Sequence, residues 1–338
     1  MLKPETAALV LAPMEGITDA PMRALQGASG AFSFAVSEFL RVAGDPIPAK
    51  VFLKDVPELR FGGVTPTGMP VQLQLLGGDA NRMAQSAVAA CQAGARAVDI
   101  NFGCPAKTVN RHDGGASLLK HPARIREIVA AVRDAVPVGI PVSAKLRLGW
   151  DSIDCIHVNA EMAAEGGASW LTIHARTRVQ GYAPPVFWPH IGEVRRALGL
   201  PIVANGDIWN LDDFHRCQDE TGCRHFMIGR GALANPALPR LIARELGLLA
   251  TEQSVCPWRD RDWIPLLESL INYTDLYGDK RPYVNVLRFK QWLKLARNYG
   301  QFRHFDAIKE TRTLSEFFDR LTTAIASSNT HETLSVLV

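Results

Sequence analysis

The 338-residue chain carries 37 Lys and Arg against 34 Asp and Glu, is 47% hydrophobic and 21% charged, and has a formal net charge of +3. That composition excludes disordered, collagen-like and disulfide-stapled classes. No apolar run approaches the roughly 18 residues needed to cross a bilayer, and the first one, residues 7–14, stops at Glu15, so no membrane partner is expected. In chain order, eight short β-rich apolar runs follow, at residues 8–13, 34–39, 71–76, 97–101, 142–146, 170–174, 202–205 and 225–228. Between them lie segments of 3.6-residue period, such as 81–93 and 123–135, the latter with Ile125, Ile128, Val129 and Val132 on one stripe. Eight βα units in about 245 residues predict an α/β fold, a (β/α)8 TIM barrel over residues 1–245.

Beyond residue 245 the strand runs vanish. Helical patterns at 263–276, 284–299 and 305–326 predict a small C-terminal helical domain over 253–338, with residues 253–262 as its linker. Residues 280–312 hold nine Lys or Arg against Asp306 and Glu310, a local net of +7 that leaves −4 for the rest of the chain. On the 284–299 helix, Lys290, Lys294 and Arg297 share a face, and Phe289, Trp292, Leu293 and Ala296 share another. A basic face over an apolar one suits docking on the barrel while offering charge to a phosphate backbone; a merely solvated basic helix is the plainer alternative.

Barrel active sites form at the C-terminal ends of the strands, so the polar residues closing each run carry the chemistry. The fourth run closes with Asn101 and leads to Cys104 in a Gly-Cys-Pro loop; the fifth supplies Lys145 and the sixth His174. Gln74 ends the third run and Pro13, Met14 and Glu15 follow the first, where a flat aromatic ligand could lie against backbone and thioether. Asn205-Gly206-Asp207 and Gly229-Arg230-Gly231 follow runs seven and eight, the place where such barrels hold phosphate on backbone N–H groups, with Arg230 as charge partner. A thiol of ordinary pKa, about 8.5, is mostly protonated near neutrality and serves as proton donor or, once activated, as nucleophile. The six cysteines form no Cys-x-x-Cys pair and predict free thiols in a reducing cytoplasm. The nine histidines lack metal-ligand spacing, and neither a dinucleotide turn nor a Walker loop is present, so metal, a Rossmann half and ATP are disfavoured.

With these residues assembled, the chain resembles the tRNA-dihydrouridine synthases, flavin enzymes that reduce uridine in tRNA. The motifs are Ala12-Pro-Met-Glu-Gly16, Gln74-Leu-Leu-Gly77, Asp99-Ile-Asn-Phe-Gly-Cys-Pro105, Lys145-Leu-Arg147, His174-Ala-Arg-Thr177, Asn205-Gly-Asp207 and Gly229-Arg-Gly231. Ser37–Val42, Arg147–Asp151, Gln180-Gly-Tyr182 and Arg288–Trp292 look most like the bacterial C-type branch, which acts on uridine 16 of the D-loop. The resemblance implies FMN, with its phosphate around Asn205, Gly206, Asp207, Gly229 and Arg230 and its ring near Pro13, Met14, Glu15, Gln74, Lys145 and His174. It implies NADPH, or NADH, as reductant, hydride transfer to uracil C6, and Cys104 as the acid that protonates C5. It places tRNA contacts at Arg41, Tyr182, Arg288, Lys290 and Arg312, with Asn101 reading the flipped uracil. The enzyme is expected to be a monomer. Two other functions fit the residues: an FMN-dependent oxidoreductase of a free pyrimidine, which needs no basic tail, and a non-catalytic tRNA-binding protein. The chain departs from the family pattern at Ala175, where a glycine is usual, and at Asp113 in the loop after the cysteine.

Overall fold

The computed structural model describes residues 1–111, 113–250, 258–278 and 281–335. Eight strands form a closed, all-parallel barrel in sequence order: β1 Ala8–Leu11, β2 Phe34–Arg41, β3 Val71–Leu76, β4 Val98–Asn101, β5 Val142–Gly149, β6 Leu171–Thr177, β7 Ile202–Asn205 and β8 His225–Ile228. β8 pairs with β1 to close it, with Val10 opposite Met227. Strands β5 and β6 run farther than their apolar runs predict, because Arg147 and Arg176 continue the ladder as buried, hydrogen-bonded side chains instead of opening loops.

Successive strand residues alternate between two environments. Leu9, Leu11, Leu73, Leu75, Ile100, Ala144 and Ile173 belong to the large apolar cluster that packs strands against the outer helices. The residues between them point inward, and the interior they fill has two kinds of wall. Val10, Ala12, Phe34, Val36, Val203 and Met227 make a compact apolar cluster closed by Trp170, whose ring meets Phe34 edge-on at 6.1 Å. On β3, β4 and β5 the inward residues are instead Gln72, Gln74, Asp99, Asn101, Ser143 and Lys145.

The C-terminal part consists of helices Trp263–Leu276, Pro282–Tyr299, Phe305–Ile308 and Leu314–Ser335. Pro282, with no N–H to leave unpaired, starts its helix two residues earlier than expected. The single helix expected over 305–326 is broken around Lys309–Thr313, where the Thr313 hydroxyl accepts from the Glu316 N–H. The missed signal is Thr313-Leu-Ser-Glu316, a Thr-x-x-Glu helix start. Residues 253–257 of the expected linker, and Cys256, lie outside the described residues. The core of this part includes Met22 and Leu25 of helix Ala20–Ala28 and Leu233 beside β8, so it is continuous with the barrel's first and last units. Trp292 Nε1 donates to the Leu233 carbonyl at 2.9 Å, and the Tyr299 ring stacks on Trp209 at 4.7 Å. A Cβ at Gly300 would lie 2.2 Å from the Ala234 carbonyl oxygen, so only glycine permits this approach. Among the described residues no helix is long and apolar enough to cross a membrane.

Candidate active site

The C-terminal strand ends surround a cavity of about 330 Å³. Every residue expected to bind the cofactor lines it: Pro13, Met14, Glu15, Gln74, Lys145, His174, Asn205, Gly206, Asp207, Gly229 and Arg230; Cys104, Asn101 and Tyr182 line it too. Arg41, Arg288, Lys290 and Arg312 do not.

Cys104 sits in the loop that leaves β4. Its N–H and that of Gly103 both donate to Asn101 Oδ1 at 2.9 Å, and its carbonyl accepts from the Ala116 N–H at 3.1 Å. Gly115 makes this turn at φ +61°, and a Cβ there would meet the Cys104 carbonyl at 3.1 Å, so the residue is constrained by conformation and by space. Arg147, threaded inward from β5, donates to the carbonyls of Gly103, Thr177 and Gly181 and ties the loop to the next strand. Burial raises the Cys104 thiol pKa above the ordinary value, Glu15 adds to the rise, and the Ala106 N–H, Arg147 and Lys145 oppose it. The thiol is therefore protonated at neutral pH and suited to giving a proton rather than attacking as thiolate.

Lys145 Nζ donates to Asn205 Oδ1 at 3.1 Å while Asn205 Nδ2 donates to the Met227 carbonyl, so the lysine is aimed across the mouth from β5 to β7. Desolvation, helped by Arg147, pushes its pKa down to about 8 against the pull of Asp99 and Cys104. Burial, with Arg147, Lys145, Arg176 and Arg230 around it, holds His174 well below the usual imidazole value, hence neutral. Its buried Nδ1 has no hydrogen-bond partner. A buried polar atom without a partner, on a side chain that lines the cavity together with Lys145 and Met14, fits a flat ligand with polar edges such as a flavin ring.

Asp207, at φ +44°, binds Arg176 through both carboxylate oxygens and also accepts from Arg230 Nη2 at 2.8 Å. A carboxylate cannot donate to a phosphate, and here it holds two arginines in place; the trio retains one positive charge. Arg230 is further braced by Tyr182, Trp209 and Tyr299, with its guanidinium carbon 4.7, 5.0 and 5.2 Å from their ring centres. The helix that starts at Arg230 is only five residues long, so backbone N–H groups and Arg230, more than a helix dipole, would meet a phosphate.

The model of the dihydrouridine synthase family matches residues 10–327. The chain belongs to that family. A tRNA-dihydrouridine(16) synthase of Shewanella oneidensis is 44% identical over 313 residues, covering 90% of this chain and 95% of that protein. One from Ralstonia nicotianae is 40% identical over 321 residues, covering 94% and 96%. Among solved structures, a 2-naphthoyl-CoA reductase complex superposes with a TM-score of 0.54 at 12% identity over 69% of this chain and 50% of that one, a likeness of fold alone. Within this family frame the chain's own departures are accommodated. Asp113 pairs with Arg124 at 2.7 Å, and its carbonyl abuts Gly78, where a Cβ would lie 1.8 Å away. Ala175 is fully buried, and its carbonyl accepts from the Phe187 N–H.

Two of the expected RNA contacts are turned inward. Arg288 is paired with Asp19 at 2.6 Å and also donates to Thr274, strutting the C-terminal helices against the barrel. Lys290 Nζ donates to the Thr311 carbonyl. Lys294 and Arg312 are exposed, whereas Arg297 is paired with Asp306 at 3.0 Å. Sequence reasoning quoted Asp99 and Arg176 in its motifs without giving them a role, and it missed Ser143, Trp209 and Tyr299; for Asp99, Ser143 and Arg176, the polar residue at every second position of the strand was the available signal. Among the described residues no group of three or more His, Cys, Asp or Glu could hold a metal ion, and the five described cysteines are free thiols.

Proposed function

We propose that this member of the family reduces uridine to 5,6-dihydrouridine in the tRNA D-loop, at position 16. The observation that carries the reading is the Cys104 loop, whose protonated thiol opens on the cavity that Lys145 and His174 also line. The relatives' shared name supports the position. The cofactor would be FMN, held at its phosphate by Gly206, Gly229 and Arg230 and along its ring by Met14, Lys145 and His174. The hydride chemistry belongs to FMN, reduced in turn by NADPH or NADH, and the protein contributes position and protonation.

Cys104 gives its proton to uracil C5 as C6 is reduced, and the thiolate left behind is stabilised by the Ala106 N–H, Arg147 and Lys145. The Lys145 ammonium steadies negative charge that develops on the uracil carbonyl. Asn101 has one amide hydrogen left for the uracil edge after binding Gln74, and Tyr182 offers an exposed ring on the same cavity. A uridine stacked in tRNA reaches this depth only if flipped out. Residues 1–245 would form the FMN-binding unit and the C-terminal helices the tRNA-binding one, with Arg41, Lys294 and Arg312 meeting phosphates.

The test is to map dihydrouridine in tRNA from cells lacking and re-expressing the gene, alongside the visible spectrum of the purified protein. Flavin absorption with loss and rescue confined to position 16 is the expected result. Rescue at another position keeps the chemistry and overturns the site, and a protein that takes up no FMN and changes no dihydrouridine overturns both.

A further inference from the structure

Below the proton donor, the polar wall of the barrel is one continuous chain of hydrogen bonds, of which the proposed reaction uses only the Asn101 end. Gln72, Gln74, Asp99, Asn101 and Ser143 are each at most 7% exposed. Their pairing is dictated by strand register, with Gln74 opposite Asp99 and Asp99 opposite Ser143. The Ser143 hydroxyl has a single proton and donates it to Asp99 Oδ1, so its oxygen accepts from Gln72 Nε2 at 2.8 Å. Gln74 Nε2 donates to Asp99 Oδ2 at 2.7 Å, which turns Gln74 Oε1 towards Asn101 Nδ2 at 2.8 Å. Asn101 Oδ1 is thereby presented to the N–H groups of Gly103 and Cys104.

A carboxylate only accepts, whereas an amide can be flipped to donate or accept. Asp99 is the one member of the chain whose chemistry fixes its direction. Reversing any one amide would set oxygen against oxygen, or leave the Gly103 and Cys104 N–H groups facing a donor. We propose that Asp99 is a positioning residue for the proton donor: its buried carboxylate sets the polarity of the Gln74 and Asn101 amides, and through them the place of the Cys104 loop. The proposal rests on the reading of Cys104 as the acid.

The variant that tests it is Asp99→Asn, which keeps the shape but lets the chain run either way. It is compared with the double variant Asp99→Asn/Gln74→Glu, in which carboxylate and amide exchange places; net charge is kept and Asn101 again meets an acceptor. The first readout is the pH dependence of Cys104 alkylation by iodoacetamide in the flavin-loaded protein, followed by peptide mass spectrometry. A loosened loop exposes the thiol, so Asp99→Asn should lower the midpoint by about one unit, a roughly tenfold faster reaction below it. The double variant should return the midpoint to its original value or above. The second readout is turnover: kcat should fall by up to about 10²-fold in Asp99→Asn with KM for tRNA little changed, as for a misplaced reacting group.

A lowered melting temperature in Asp99→Asn with an unmoved midpoint and kcat would overturn the proposal and leave Asp99 a structural carboxylate. Should Asp99→Asn not fold, the double variant decides: an original midpoint supports the polarity chain, and a free-thiol midpoint overturns it. Turnover that survives Cys104→Ala would instead sink the assignment of the acid, and the alkylation midpoints would still decide whether Asp99 places the loop.

Discussion

The two walls of the barrel interior use the same strand geometry for opposite ends. On β1, β2, β7 and β8 the inward positions below the mouth include Val10, Phe34, Val203 and Met227, which fill space and satisfy nothing directional. On β3, β4 and β5 they are Gln74, Asp99, Asn101 and Ser143, each of which specifies where its neighbour's donor or acceptor lies. Apolar packing constrains volume, and a buried hydrogen-bonded polar chain constrains orientation. The reactive thiol emerges from the second wall, where angular placement matters.

The sharpest way to break the comparison is at its reactive end. Cys104→Ala should retain bound flavin and tRNA affinity while turnover falls about 10²–10⁴-fold, the usual contribution of a general acid; full single-turnover rates would remove the role. Next in size is Glu38, a carboxylate at the end of β2 on the apolar side, whose pKa burial, Glu15 and Asp19 push up to about 7. A pKa raised on folding means that the folded state binds the extra proton between the unfolded value, about 4.5, and about 7, so stability falls as pH rises through that window. Glu38→Gln keeps the acceptor for the Ile17 N–H and should stabilise the protein by up to about 3 kcal/mol at pH 8, with the gain gone below pH 4.5. Thermal melts across pH measure it, and a pH-independent difference would contradict the shift.

A matched pair of truncations then separates the walls. Val203→Ala should cost about 2 kcal/mol of stability through lost burial and a small cavity, with kcat nearly unchanged. Ser143→Ala costs about 1–3 kcal/mol by stranding partners of Gln72 and Asp99, and it should lower kcat as well. Equal effects on kcat would erase the distinction drawn between them. Lys145, pushed down to about 8, loses its charge above that pH, so the single-turnover rate should fall about fivefold from pH 8 to 9 and Lys145→Gln should flatten that limb. The smallest effect is at the surface. Reversing Lys294 and Arg312 together should lower the salt slope of tRNA binding by about two, one per phosphate contact, and an unchanged slope would leave them as solvating charges.

Much of this was legible in the chain. The strands at Val71–Leu76, Ile202–Asn205 and His225–Ile228 coincide with their apolar runs, since short β-rich segments bounded by turn residues have few other solutions. The cavity residues were legible too, because strand ends in a barrel converge wherever they lie in sequence. The partners of Arg288 and Lys290 were not legible, for the opposite reason. Helical spacing shows that they share a face with other charges, but whether that face meets water or Asp19 and the Thr311 carbonyl depends on how the helix docks.

The sequence alone therefore determined the eight βα units, the residues gathered at their ends and the family, each a matter of local period or motif. Tertiary structure decided which cations are free, that Asp207 holds Arg176 and Arg230, and that the polar wall runs from Ser143 through Asp99 to Cys104. Hydrogen-bond direction and burial depend on neighbours far apart in the chain, and no single segment contains both partners.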